Sequence, residues 1–179
     1  MSAFSRDPLV GILKIVLLAV LAVLALAAIC IVIAAVAVPF MPGEVAAELA
    51  QEGVVGRTGS LILRLEGLFL GILIMLVVIG FFLLDLWRIL MSVAAGDPFV
   101  PINSVRLTRM AWLALAGQVW AVALGLYGAW MVAQLDGLTD ADLDIGIDGG
   151  GILLILVLFV LARVFRHGTQ LREDVEGVV

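Results

Sequence analysis

Four long apolar runs, separated by short segments that contain charges, glycine or proline, dominate the hydrophobic pattern of this chain. They are Ile15–Val38, Gly67–Leu84, Met110–Ala133 and Gly150–Ala162. A helix needs about 20 apolar residues to cross roughly 30 Å of hydrocarbon, because each residue advances it by about 1.5 Å. The first and third runs reach this length, the second nearly does, and the fourth needs its flanks. The pattern predicts an all-α integral membrane protein, a bundle of four transmembrane helices.

Helix-breaking residues set the predicted bounds at about residues 12–38, 61–95, 104–134 and 149–167 of one domain, 1–179, with a short tail at 168–179. Gly96 should cap the second helix, and Asn103 should cap the start of the third. We expect a short outer helix at Gly43–Glu52 and a β-hairpin or capping loop within Leu135–Gly151. The first run is longer than the roughly 7–15 apolar residues of a signal peptide, so it should be retained.

Composition agrees with a protein that lies almost entirely in the bilayer. The chain is 64% hydrophobic and 14% charged, with a mean hydropathy of +1.27, whereas a soluble domain is nearer half apolar. The connections and tails leave no room for a separate soluble domain. Cys30 is the only cysteine, so an intrachain disulfide is excluded.

Basic residues divide unevenly between the two predicted sides of the membrane. Two, Arg57 and Arg64, lie in the first connection. Eight lie in the tails and the second connection: Arg6, Lys14, Arg88, Arg106, Arg109, Arg163, Arg166 and Arg172. Cytoplasmic segments carry the excess of Lys and Arg, so both termini are predicted to be cytoplasmic.

The acidic excess lies mainly in the predicted outer loops and gives a net charge of −5. This balance argues against direct binding of nucleic acid, which needs a basic surface. Asp140, Asp142 and Asp144 resemble the start of a calcium loop, but Ile145 and Gly151 occupy the positions that need Gly and a bidentate Glu. No metal site is therefore predicted.

Four polar residues within the predicted helices are candidates for function inside the membrane, where charge is costly: Glu66, Asp85, Arg88 and Gln118. Asp85 and Arg88 are three residues apart and can pair on one helix face. Glu66 could bind a proton or a cation, although a carboxylate that reaches interfacial water is the simpler interpretation. Gln118 is expected to form an interhelical hydrogen bond.

Small residues recur every four positions along the third helix, at Gly117, Ala121, Gly125, Ala129 and Ala133. Gly67 and Gly71 form a shorter pair of this kind on the second helix. Such ridges let helix backbones approach closely in a membrane. We favour packing within one chain over a homo-oligomeric interface.

The chain contains no nucleophile elbow, metal-binding HExxH, phosphate loop or dinucleotide fingerprint. We therefore expect neither an enzyme nor a bound cofactor.

Two segments on the predicted cytoplasmic side carry a family resemblance. One is Gly96-Asp97-Pro98-Phe99-Val100-Pro101 with Asn103, Arg106, Leu107 and Arg109; the other is Leu161-Ala162-Arg163-Val164-Phe165-Arg166 with Gly168, Leu171-Arg172-Glu173-Asp174, Glu176-Gly177 and Val179. Together they resemble the bacterial four-span membrane family called domain of unknown function 2975, over nearly the whole chain. Val178 departs from the Thr of the family's usual ending, so a role for a terminal hydroxyl lacks support. The resemblance implies the bacterial inner membrane, no established activity, and frequent encoding beside a small helix-turn-helix regulator.

These observations favour a membrane regulatory or sensory protein whose cytoplasmic face interacts with a helix-turn-helix transcription regulator. The candidate partner-binding residues are Asp97, Phe99, Asn103, Arg106, Arg109, Arg163, Phe165, Arg166, Arg172, Glu173 and Asp174. A small transporter or channel component is the first alternative and would use Glu66, Asp85 or Gln118. A structural subunit of a membrane complex, using the small-residue ridge, is the second.

Overall fold

Four long helices make up nearly all of the part of the chain that the computed structural model describes, which is residues 8–44, 47, 58–133 and 149–176. They are α1 (Pro8–Ala37), α2 (Thr58–Ala94), α3 (Pro101–Val132) and α4 (Gly149–Glu176), and a 3-10 turn at Val38–Phe40 follows α1. No strand occurs within these ranges. Each helix is long and apolar enough to cross a bilayer. The predicted all-α membrane protein with four spanning helices is confirmed.

Helix α2 is longer than the hydrocarbon core is thick, and its charges mark where the core ends. Its 37 residues extend over about 55 Å. Arg64 and Glu66 precede the apolar segment Gly67–Leu84, and Asp85 and Arg88 follow it. That segment is about 27 Å long, close to the hydrocarbon thickness. Both charged pairs therefore lie at boundaries of the apolar segment rather than at its middle.

The connection between α2 and α3 is a compact corner. Gly96 has φ of 86° and donates its N–H to Val93 O, while Asp97 donates to Ser92 O. These two bonds form a Schellman motif, which needs a left-handed residue and so favours glycine. The predicted cap at Gly96 is confirmed.

Helix α3 begins at Pro101, earlier than predicted, and the predicted N-cap role of Asn103 is wrong. Proline suits the first helical turn, because its missing N–H would have no intrahelical partner there. Asn103 is already inside the helix, with its N–H 2.9 Å from Val100 O. Its side-chain amide therefore does not cap the helix and can contact residues outside α3.

Helix α4 continues to Glu176, beyond the end predicted near residue 167. One face stays buried through the added turns: Leu158 and Ala162 are followed by Phe165, which is partly buried, and Thr169, which is 7% exposed. These positions recur every three or four residues, as on one face of a helix. The burial explains why the helix persists past its apolar stretch.

The described residues fall into two compact units. The first, called here the Asp85 unit, contains the described parts of Met1–Val23, Val78–Gly117 and Asp148–Val179. Its core consists of Ile89, Leu107, Met110, Ala111, Leu158 and Ala162. The second, the Glu66 unit, contains the described parts of Leu24–Val77 and Gln118–Ile147.

Many large apolar side chains point away from the protein, such as Ile15, Val23 and Leu63, which are 70%, 67% and 74% exposed. On spanning helices this is the surface that contacts lipid tails, since apolar contact with lipid carries no cost. Two predicted elements of the outer loops lie largely outside the described residues. Within the predicted outer helix, Gly43–Glu52, residues 43 and 44 are helical. The rest of that helix, apart from Ala47, and the acidic segment 134–148, lie outside the described residues.

Candidate functional site

A buried ion pair at the end of the α2 apolar segment is the main polar feature of the Asp85 unit. The Asp85 side chain is fully buried. Arg109 of α3 donates from Nε and Nη2 to the two carboxylate oxygens of Asp85. Arg88 donates from Nη1 to Asp85 Oδ1 at 3.3 Å. A planar guanidinium matches a carboxylate in this two-pronged geometry. The predicted contact of Asp85 with Arg88 is present, and the longer-range partner Arg109 was missed.

A second polar network lies beside this ion pair and joins α2, the corner and α3. The fully buried Asn103 amide nitrogen is 2.5 Å from Ser92 Oγ and 3.0 Å from Pro98 O. Arg106 donates to Asn103 Oδ1 at 3.0 Å and to Arg88 O at 3.4 Å. Each buried polar group thus finds a partner, which avoids the cost of an unpaired one. Asn103, Arg106 and Arg109 therefore hold helices together.

The C-terminal turns of α4 dock on the α2–α3 corner. Phe99 and Phe165 have ring centroids 5.4 Å apart. A Cβ added at Gly168 would lie 3.0 Å from the Phe99 ring, so this position suits glycine. The Thr169 hydroxyl lies 2.9 Å from Phe165 O and 3.2 Å from Phe99 O. Phe99 and Phe165, which were predicted to bind a partner, contact each other, and their role in partner binding stays a prediction.

Opposite this docked face, α4 presents an exposed row of polar side chains, called here the basic stripe: Arg163, Arg166, His167 and Gln170. Their three- and four-residue spacing places them on one helix face. None makes an ion pair or side-chain hydrogen bond within the described part of the chain. Arg163 and Arg166 also line a shallow groove with Thr108 and Phe159. The stripe is therefore free to meet another molecule.

In the Glu66 unit, aromatic donors on α3 bind to carbonyls of α2. Trp120 Nε1 is 2.8 Å from Gly71 O, and Tyr127 Oη is 3.0 Å from Arg64 O. The glycines make room, because an added Cβ would lie 2.6 Å from Tyr127 Oη at Gly67 and 2.5 Å from Leu124 Cδ1 at Gly71. Large side chains of α3 thus pack against Gly67 and Gly71 of α2.

The predicted small-residue ridge of α3 is only partly covered. Gly117 is buried, Ala121, Gly125 and Ala129 are partly buried, and Ala133 is exposed. Gln118 is also partly buried and takes part in an interaction. Its predicted interhelical hydrogen bond stays a prediction.

Glu66 lines a groove between α1 and α2 with a volume of about 520 Å³. Its Oε1 is buried and has no hydrogen-bond partner among the residues that the structure describes. Arg64, two residues earlier, lies 4.9 Å over the Trp130 ring. A buried oxygen without a partner is costly and marks this position for function.

Sequence reasoning missed Ser92, Gly168 and Thr169, because their roles depend on residues distant in the chain. Trp120 and Tyr127 had a usable signal, since their seven-residue spacing puts two donors on one face of α3. The side chains of Arg172, Glu173 and Asp174, and the acidic residues Asp140, Asp142 and Asp144, lie outside what the structure describes. Asp97 takes part in an interaction.

The fold and these contacts define an all-α, multi-pass membrane protein with a buried ion pair and internal polar networks. The chain belongs to the family described as "Protein of unknown function (DUF2975)", whose model matches residues 41–179. The match starts after α1, so it covers less of the chain than the expected resemblance. No curated protein and no solved structure gives a significant match to the chain.

Proposed function

We propose that this protein is a membrane regulatory protein whose basic stripe binds a cytoplasmic protein. The observation that carries this proposal is the difference among its basic residues. Arg88, Arg106 and Arg109 make contacts within the chain, whereas Arg163 and Arg166 are exposed without an acidic partner in the described residues. An exposed row of like charge attracts a surface of opposite charge and speeds association with it.

The proposed partner is a small helix-turn-helix regulator with an acidic surface away from its DNA-binding helix. Two arguments support this choice. The excess of Lys and Arg beside the stripe favours a cytoplasmic location, by the positive-inside rule. The family resemblance implies a neighbouring gene for such a regulator. Binding at the membrane would keep the regulator from DNA.

Internal contacts argue against some of the candidate residues as parts of the proposed binding surface. Phe99, Asn103, Arg109 and Phe165 are engaged in internal contacts, so their substitution would disturb the fold before any interface. The binding surface is better assigned to the stripe and to the turn that follows it, which carries Arg172, Glu173 and Asp174. This turn is helical and continuous with α4.

The test is in-cell crosslinking of the full chain in its host, followed by affinity purification and mass spectrometry. A double charge reversal, Arg163→Glu with Arg166→Glu, should abolish recovery of the regulator. The matched control is Lys14→Glu, a charge reversal on α1, which should leave recovery unchanged. Both variants must appear in the membrane fraction at wild-type levels. Undiminished recovery of the regulator with the double variant would contradict the proposed surface.

The transport alternative draws its support from Glu66 and Gln118, because Asp85 is paired with two arginines. Flux measurements that compare wild type with Glu66→Gln would test the transport alternative. The structural-subunit alternative rests on the exposed end of the small-residue ridge at Ala133.

A further inference from the structure

We propose that the groove between α1 and α2 binds a lipophilic organic cation, with its charged group against Glu66 and its apolar body along the groove. This inference does not depend on the proposed function, because the groove and the basic stripe share no residue. One wall of the groove belongs to α1, which precedes the region matched by the family model.

The groove has the size and lining of a small-molecule site. Its volume of about 520 Å³ lies within the roughly 300–1,000 Å³ typical of ligand pockets. The lining is Ile31, Val32, Ala35 and Val36 from α1, and Leu63, Glu66, Gly67, Phe69, Leu70 and Leu73 from α2. Glu66 is the only charged residue among these ten. One polar group on an apolar wall orients a ligand that has one polar end.

The charge of that ligand follows from the surroundings of Glu66. Its Oε1 is buried and, in the described part of the chain, finds no hydrogen-bond partner. The neighbouring cation, Arg64, is positioned over the Trp130 ring at 4.9 Å. No ion pair to Glu66 exists within the described part of the chain. A bound cation would compensate the charge of this carboxylate, one oxygen of which is buried, whereas an anion would add repulsion.

The shape of the ligand follows from the position of Glu66 on α2. The groove continues from Glu66 to Leu73, seven residues or about 10 Å deeper into the apolar segment. A ligand of this shape carries its charge at one end and an apolar group of similar length. The one carboxylate in the lining cannot replace the several oxygen ligands of an inorganic divalent cation. The geometry therefore points to an organic cation with alkyl or aryl substituents.

The experiment measures binding of tetraphenylphosphonium to the purified full chain in a neutral detergent, by equilibrium dialysis. Wild-type protein should bind it saturably. Glu66→Gln, which keeps the shape of the side chain, should weaken binding about tenfold or more, the effect of 1.4 kcal/mol. Glu44→Gln, at an exposed glutamate outside the groove, is the matched control and should bind like wild type.

Two further measurements separate a charge-selective site from an apolar surface. Val32→Trp should fill the groove and reduce binding while leaving Glu66 in place. Neutral triphenylphosphine oxide should compete at least tenfold less well than tetraphenylphosphonium. Equal binding by wild type and Glu66→Gln, equal competition by the neutral compound, or no saturable binding by wild type would each overturn the proposal. Melting curves of every variant exclude unfolding as the cause of a loss.

Discussion

Asp85 has the most demanding surroundings of any charged residue that the structure describes, because its carboxylate is fully buried. Burial removes water from a charge, and only close partners compensate this cost. Arg109 approaches both carboxylate oxygens, whereas Arg88 approaches one at 3.3 Å. Both arginine side chains are about half exposed, at 51% and 52%, so their outer atoms can stay solvated. The pair thus joins α2 to α3 without burying two whole charges.

Arg109→Ala should destabilise the protein more than Arg88→Ala does. The first change removes two of the three hydrogen bonds to a buried carboxylate, and the second removes one long bond. Thermal unfolding in detergent micelles would measure the difference, which we expect to be several degrees. Asp85→Asn in the Arg109→Ala background should recover part of the loss, since the buried charge disappears. Equal effects of the two alanine variants would contradict the assigned roles.

Thr169→Val should loosen the end of α4, at a cost of about 1 kcal/mol. The hydroxyl proton can be given to Phe165 O in its own helix or to Phe99 O in the corner. Thr108→Val is the matched control, because the one hydrogen bond of the Thr108 hydroxyl among the described residues is to Ser104 O, four residues earlier in α3. Limited proteolysis at the C-terminus should be faster for Thr169→Val alone. Similar proteolysis of both variants would indicate that the bond across to Phe99 contributes nothing.

At the scale of the helices, α2 and α3 pack closely in the Glu66 unit because the side chains of α3 fit against small residues of α2. Gly67 and Gly71 leave a shallow space on α2, and Tyr127, Leu124 and Trp120 of α3 fill it. Both aromatic polar groups donate to α2 carbonyls, which satisfies them away from water. Size complementarity and hydrogen bonds thus replace the hydrophobic effect, which is weak between helices in lipid.

Gly67→Ala should destabilise this contact by about 1–3 kcal/mol, the usual cost of overpacking. The new Cβ would meet Tyr127 Oη at 2.6 Å and push it from Arg64 O. In a Tyr127→Phe background the same change should cost less, because the obstructing oxygen is absent. Gly128→Ala, where a Cβ meets nothing within 4 Å, should be neutral or stabilising. Additive effects in the Gly67–Tyr127 double-mutant cycle would contradict this contact.

A helix end could be predicted from the sequence where the residues that determine it are close to it in the chain. Gly96 and Pro98 lie within a few residues of the end of α2 and predict it, and the helix ends at Ala94. The end of α4 was predicted too early, because the polar residues after Ala162 suggest a tail. Only the distant corner residue Phe99, packed on Phe165 and Gly168, reveals why the helix continues. Asn103 was misplaced for a similar reason, since its amide partner Ser92 belongs to another helix.

At the scale of the whole molecule, the sequence predicted the fold class well because hydrophobic length alone determines which segments can span a bilayer. It predicted the polar sites less well. Asp85 and Arg88 share a helix face, so their contact follows from spacing, whereas Arg109 is 24 residues away from Asp85. Glu66 was recognised as a candidate from its place in an apolar helix. Its groove required knowledge of which face of α1 lies beside it.

The orientation of the chain in the membrane underlies the regulatory proposal and can be tested directly. In a Cys30→Ala background, Met41→Cys introduces one exposed thiol just after α1, and Gln170→Cys introduces one in the C-terminal turns of α4. The distribution of Lys and Arg predicts that Met41→Cys faces outward and Gln170→Cys faces the cytoplasm. A membrane-impermeant maleimide should therefore label the first variant in intact spheroplasts, and the second only after permeabilisation. The reverse pattern would place the basic stripe outside the cell, where it could not bind a transcription regulator. It would leave the proposal for the cation groove between α1 and α2 unaffected, because that proposal rests on the groove's size, its apolar lining and the environment of Glu66.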